Sequence, residues 1–221
     1  MEIKNICVHH SGGLGSDYYA ETAWLTFDHV NNAHQGRWPN FPSRIKGPKG
    51  QANYVGYNFW IFPDGKLVQC RPLGAETAAQ KGNNFDTISI HLSGNFTKKP
   101  NGLPVETPTP AQLVTLKKVM LDLINNRTAE YIIEPGTTFN FSTTRIYPHR
   151  VLQPNHTECY GNVLPDDWAR KLVTETTDSK VEVVKKIQEL WRQVNDIILK
   201  INQLMKENNL GERDRSCSGN I

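Results

Sequence analysis

Strand-like and helix-like segments alternate over the first 170 residues of this 221-residue chain, and that alternation limits the possible folds more than any other feature. Ile3–Val8 is a short apolar run of the kind that forms a buried strand. Ser16 then reads as an N-cap, and YYAETAWLTFDHV behind it sets Trp24, Phe27 and Val30 at helical spacing, which predicts a helix. A loop rich in Gly, Pro and Asn, about residues 36–53, leads to a second apolar run at Tyr57–Phe62. The turn Pro63-Asp64-Gly65-Lys66 returns the chain along Leu67–Arg71, a β-hairpin. Thr87–Leu92 alternates as a further strand. Thr109, Pro110 and Gln112 occupy the cap, first and third positions of a helix expected to run to about Asn125. Elements in this order predict an α/β fold: a central mixed β-sheet flanked by helices.

The pattern changes after Trp168. Thr174–Asp178 is polar and linker-like, and Ser179-Lys180-Val181-Glu182 is a capping box that opens a long helix. Val183, Ile187, Leu190, Val194, Ile197, Ile201 and Leu204 recur in steps of four and three, and Val184, Trp191, Ile198 and Met205 widen the stripe. So broad an apolar face must be covered, by the rest of the chain or by other copies of it. The expected organisation is a catalytic domain over 1–172, a linker over 173–179 and an amphipathic helix with its tail over 180–221. Residues 180–207 are the candidate for homo-oligomerisation as a coiled coil.

Bulk properties exclude several function classes. With 38% hydrophobic residues, 21% charged and five Trp, the chain has the composition of a globular protein. A net charge of +3 is too small to indicate nucleic-acid binding. Cys7, Cys70, Cys159 and Cys217 show no CxxC spacing, which argues against a dense disulfide framework and leaves room for one to be a ligand. MEIKNICVHH has no apolar run behind a basic start, so no secretory signal is expected, and no window approaches a membrane span. The expectation is synthesis and maturation in a reducing cytoplasm.

Three residues are of the type that binds borderline metals and stand in suggestive places. His9 ends the first strand, His149 follows Tyr147-Pro148, and Cys159 comes ten positions later. None is specific alone, because a single buried His or Cys is more often a packed core residue.

The blocks VHHSGG, GYNFWIFPDGKLVQ, DTISIHLSGNF and PHRVLQPNHTEC occur in that order. Over about residues 3–168 the chain resembles the N-acetylmuramoyl-L-alanine amidase family of phage endolysins and peptidoglycan recognition proteins. The resemblance implies a zinc ion held by His9, His149 and Cys159, and hydrolysis of the bond between N-acetylmuramic acid and L-alanine in peptidoglycan. Two imidazoles and one thiolate leave a fourth tetrahedral position for water, as catalytic zinc sites do. His10 is the rival of His9, but successive strand side chains point to opposite faces, so only one of the pair can face the metal, and the family pattern selects His9. His156 is the rival of His149, in a stretch longer than in the relatives.

The same resemblance implies catalytic roles for Tyr57, matching the family's catalytic tyrosine, and for Thr157, two residues before Cys159. His91 stands where some relatives carry a glutamate that acts on water; it reads equally as a packed or supporting residue. One departure is visible: relatives often carry a His shortly before the KGxN stretch, where this chain has Ala79 and Gln80 in TAAQKGNN. Cys7 shares the strand face of His9 by parity and reads as core. The expected role is that of a phage endolysin made in the host cytoplasm and acting on the cell wall after release. The alternatives are a bacterial wall-recycling amidase, or a recognition protein that binds peptidoglycan without cutting it. Retention of the Cys together with both His and the Tyr favours the enzyme.

Overall fold

A computed structural model describes residues 1–154, 157–174, 190, 192–194 and 196–205. The chain divides into two compact units, Met1–Thr174 and Glu175–Ile221. In the first unit the opening apolar run forms two strands, β1 (Glu2–Ile3) and β2 (Asn5–His10). They are followed by α1 (Phe27–Arg37), β3 (Phe59–Ile61), β4 (Leu67–Gln69), β5 (Thr87–Leu92), α2 (Pro110–Ile124), β6 (Thr138–Phe139), β7 (Ile146–Pro148), α3 (His149–Leu152) and α4 (Trp168–Thr174). Five strands form one mixed sheet in the order β4-β3-β5-β2-β7, with only β3 and β4 antiparallel; β1 and β6 form a separate parallel pair.

Both faces of the sheet are covered, which is why β2 and β5 are buried almost throughout. On one face Ile6, Val8, Phe59, Ile61, Ile88, Ile90 and Leu92 pack with Leu116, Val119, Met120 and Leu123 of α2 and with Trp168, Ala169 and Val173 of α4. The α2 positions recur at three- and four-residue intervals, the stripe that a helix needs to lie on a sheet. Thr109 and Gln112 form the expected capping box, and the Gln112 side chain also donates to the carbonyls of Ile61 and Ser93, tying the helix to the ends of β3 and β5. On the opposite face Trp60 packs with Phe27 of α1, Val55 and Cys70.

The helix expected from Ser16 begins instead at Phe27, capped by Thr26, whose side chain and His29 form a capping box. Tertiary bonds explain the difference. Glu106 accepts from the backbone amides of Thr22, Ala23 and Asn95, and the Asn95 amide donates to the carbonyls of Tyr18 and Ala20, so residues 18–23 spend their backbone groups on other segments. Trp24 is left exposed. The hairpin is present but short: Tyr57 lies before β3, and the chain leaves β4 after Gln69. In the second unit residues 192–194 and 196–205 are helical, with Val194, Ile197, Ile198, Ile201, Leu204 and Met205 exposed. Of the expected linker, Val173 and Thr174 instead close α4, with Val173 in the core, and residues 175–179 lie outside the described residues, as do the capping box at Ser179, the first part of the stripe and His156.

Candidate metal centre and its cleft

Strand register brings the candidate ligands together. β2 and β7 run parallel with Val8 opposite Pro148, so His9 and His149 leave the sheet side by side at the carboxyl ends of adjacent strands. Their rings lie 4.6 Å apart between centroids. Cys159 comes from the loop beyond α3. Its thiol accepts from the His10 backbone amide at 3.3 Å, its own amide donates to Thr157 Oγ1 at 3.1 Å, and its carbonyl accepts from the Arg150 amide at 2.6 Å. One ligand atom from each of His9, His149 and Cys159 falls within 4.8 Å of the others, and they form the only such group among the described residues.

These residues fit a small cation. Cys159 Sγ stands 3.7 Å from His9 Nδ1. Tetrahedral zinc with bonds of about 2.0–2.3 Å requires ligand separations of about 3.6 Å. Burial, reinforced by the neighbouring His149, holds the His9 imidazole far below its ordinary range, and burial also lowers His149, so both rings carry a free lone pair at neutral pH. Burial pushes the Cys159 thiol up to about 12, against the pull of the His10 amide and Arg150. A thiolate there needs a cation beside it.

His10 leaves β2 on the opposite face, its ring tilted 5.7 Å from that of Phe96, and accepts from the Phe96 amide through Nδ1 at 3.0 Å. Cys7 is fully buried beneath the site.

The group opens into a cleft of about 650 Å³, lined among others by Tyr18, His34, Arg37, Trp38, Tyr57, Lys81, Thr157 and Glu158. Tyr57 sits 5.1 Å from the His9 ring, and burial raises its phenol, keeping it protonated. His91 does not line the cleft. It aligns with His9 and Trp60 across three strands, stacks behind Tyr57 at 4.6 Å and meets Trp60 edge-on at 4.7 Å. Its Nε2 lies 3.4 Å from Ser11 Oγ, and its buried Nδ1 has no hydrogen-bond partner among the described residues.

Two glutamines escaped the sequence reading. Gln80 accepts from His9 Nε2 at 3.1 Å, and Gln153 accepts from His149 Nε2 at 2.7 Å. The second had a sequence signal, because Gln153 follows His149 by four residues on a helical turn. For the first, only the missing family His drew attention to the position.

The family model for N-acetylmuramoyl-L-alanine amidase matches residues 1–162. No curated protein matches the chain in sequence. Among solved structures, the N-acetylmuramoyl-L-alanine amidase LysC from Clostridium intestinale aligns at 20% identity and TM-score 0.50, over 80% of this chain and 99% of that one. The endolysin amidase LysCS from the same organism aligns at 20% and 0.51, over 80% and 97%. The recognition protein PGRP-SA of Apis mellifera aligns at 18% and 0.47, over 80% and 84%. At these identities the first two likenesses are likenesses of fold.

Proposed function

The chain belongs to the N-acetylmuramoyl-L-alanine amidase family, and on that footing we propose that it hydrolyses the amide between the lactyl group of N-acetylmuramic acid and L-alanine in peptidoglycan, with zinc held by His9, His149 and Cys159. The observation that carries the proposal is the convergence of those three donors, from β2, the end of β7 and a distant loop, at the floor of one cleft. Bound there, zinc supplies Lewis acidity at the scissile carbonyl and acidifies water.

The protein's own groups supply the rest. Tyr57, half-buried and neutral, is a hydrogen-bond donor for the oxygen on which negative charge develops. Thr157 Oγ1 accepts from the Cys159 amide, which leaves its hydroxyl proton free to donate into the cleft. His91 braces the Tyr57 ring from behind. Arg37 and Lys81 line the cleft, and Glu158, its one carboxylate among the described residues, is bonded to the Tyr18 hydroxyl, so the walls favour a peptide stem that carries free carboxylates. In the balanced reaction, water adds across the C–N bond, giving a lactyl carboxylic acid and the free amine of L-alanine.

Digestion of purified sacculi with and without a chelator tests this. New L-alanine amines that disappear with the chelator support the proposal. New reducing sugar ends would make the protein a glycosidase, and binding without release in added zinc would make it a recognition module.

The reading extends to an endolysin whose helical residues 192–194 and 196–205 pair with a second copy, because their exposed apolar side chains keep the heptad spacing of a coiled-coil seam. Two catalytic units per particle would hold to the wall by avidity. Sedimentation that finds the full chain and a chain ending at Thr174 both monomeric removes the pairing. No helix among the described residues is long and apolar enough to cross a membrane.

A further inference from the structure

We infer that Gln80 and Gln153 are positioning residues that lock both metal-binding imidazoles in the Nε2–H tautomer, presenting Nδ1 of each to the metal; this rests on the zinc reading above.

The Gln80 side chain is fully buried. An amide can be placed either way round, so its orientation has to follow from its partners. Its Nε2 lies 3.2 Å from the Asn83 carbonyl oxygen, which can only accept, and 3.3 Å from Thr77 Oγ1, which donates to Asn84. The NH2 end therefore faces that loop, and Oε1 faces the strands, where it accepts from Ser89 Oγ at 2.7 Å and from His9 at 3.1 Å. An amide oxygen has no proton to give, so the His9 nitrogen in contact with it, Nε2, must carry one. The other ring nitrogen, Nδ1, is the atom 3.7 Å from Cys159 Sγ, where a metal ligand needs a bare lone pair.

The second glutamine repeats the logic. Gln153 Nε2 donates to the Lys81 carbonyl at 2.5 Å, which fixes its flip, and its Oε1 faces His149 Nε2 at 2.7 Å. His149 is thereby also an Nε2–H tautomer with Nδ1 available. Both glutamines hang by their NH2 groups from one loop, residues 77–84, closed on itself by Asn84 Oδ1, which accepts from the amides of Ala79 and Gln80. A single loop thus sets the orientation of ligands from two strands. Metal-binding histidines often give this proton to a carboxylate. Among the described residues no carboxylate hydrogen-bonds either ring, so Cys159 is the only anion in the set and the bound metal keeps more of its positive charge.

The experiment uses the full chain and three variants: Gln80→Met, which keeps the volume and removes the acceptor, Gln80→Glu, which keeps an acceptor, and Gln153→Met. Long-range 1H–15N spectra of the metal-free protein should show His9 and His149 as Nε2–H tautomers, with His9 a mixture in Gln80→Met and His149 a mixture in Gln153→Met. Zinc affinity against a chromophoric chelator should fall about 10- to 100-fold in each Met variant and stay at or above wild type in Gln80→Glu. Nδ1–H tautomers in the wild type would overturn the inference, as would Met variants that melt like wild type and bind zinc within about threefold of it. Should Gln80→Met fail to fold, Gln153→Met and the wild-type tautomers still decide. Failure of the wild type itself to bind zinc would strike the proposed function instead.

Discussion

Replacing Cys159 by serine removes the one anion from the proposed metal set while leaving the backbone that carries it in place. The Thr157 hydroxyl still accepts from the residue 159 amide, and the Arg150 amide still donates to its carbonyl, so the loop keeps its anchors. What changes is the donor: a hydroxyl ionises far less readily than a thiol, and its oxygen stands further than the 3.7 Å sulfur from His9 Nδ1. Four-ligand structural zinc sites bind with about 10–16 kcal/mol, so one protein ligand contributes roughly 3 kcal/mol, and Cys159→Ser should weaken zinc about 100-fold or more. Competition against a chromophoric chelator at constant pH measures the affinity, and release of L-alanine amines from sacculi measures activity; the two should fall together. The matched control is His10→Asn, whose Oδ1 can replace Nδ1 as acceptor for the Phe96 amide and which should hold zinc within about threefold of wild type. Wild-type affinity in Cys159→Ser, or loss of metal in His10→Asn with the fold intact, would refute the ligand assignment.

Tyr57→Phe should keep zinc affinity and melting temperature while lowering kcat about 100-fold, since one oxyanion donor is lost; an unchanged kcat would return Tyr57 to a packing role. Gly161 has φ of 78° and a Cβ there would meet the Phe96 carbonyl oxygen at 2.0 Å, so Gly161→Ala should destabilise the fold by more than about 3 kcal/mol in urea titrations and disturb the loop that bears Cys159. Glu106→Ala strips the acceptor from three backbone amides and should cost about 3–5 kcal/mol by the same assay, with Glu106→Gln recovering part of it. Burial, aided by Arg37 and Arg71, lowers His34 from 6.5 to about 4, where it accepts from the Gly56 amide and its ring faces Trp38 and Tyr57. Below about pH 6.5 the unfolded chain takes up a proton that the folded one refuses, so this group's stability, whole above that pH, is lost down to about pH 4. The loss is about 3 kcal/mol, and His34→Asn should abolish it in urea titrations at pH 7 and 4.5.

The sequence alone carried the kind of fold and offered the three candidate donors. The alternation at Thr87–Leu92, the cap at Thr109 and the hairpin turn at Pro63–Lys66 are local signals, since strand side chains point to the two faces in turn and a helix start must satisfy its own amides. The false helix start at Ser16 could not be recognised locally, because Glu106 and Asn95, far along the chain, claim the backbone groups that a local helix would have used. Nor could residue types alone say which nitrogen of His9 faces a metal. That choice belongs to the parallel register of β2 with β5 and β7, and to a loop about seventy residues away whose glutamine takes the other nitrogen. Directions of lone pairs depend on contacts between segments distant in sequence, so only the tertiary structure decides them.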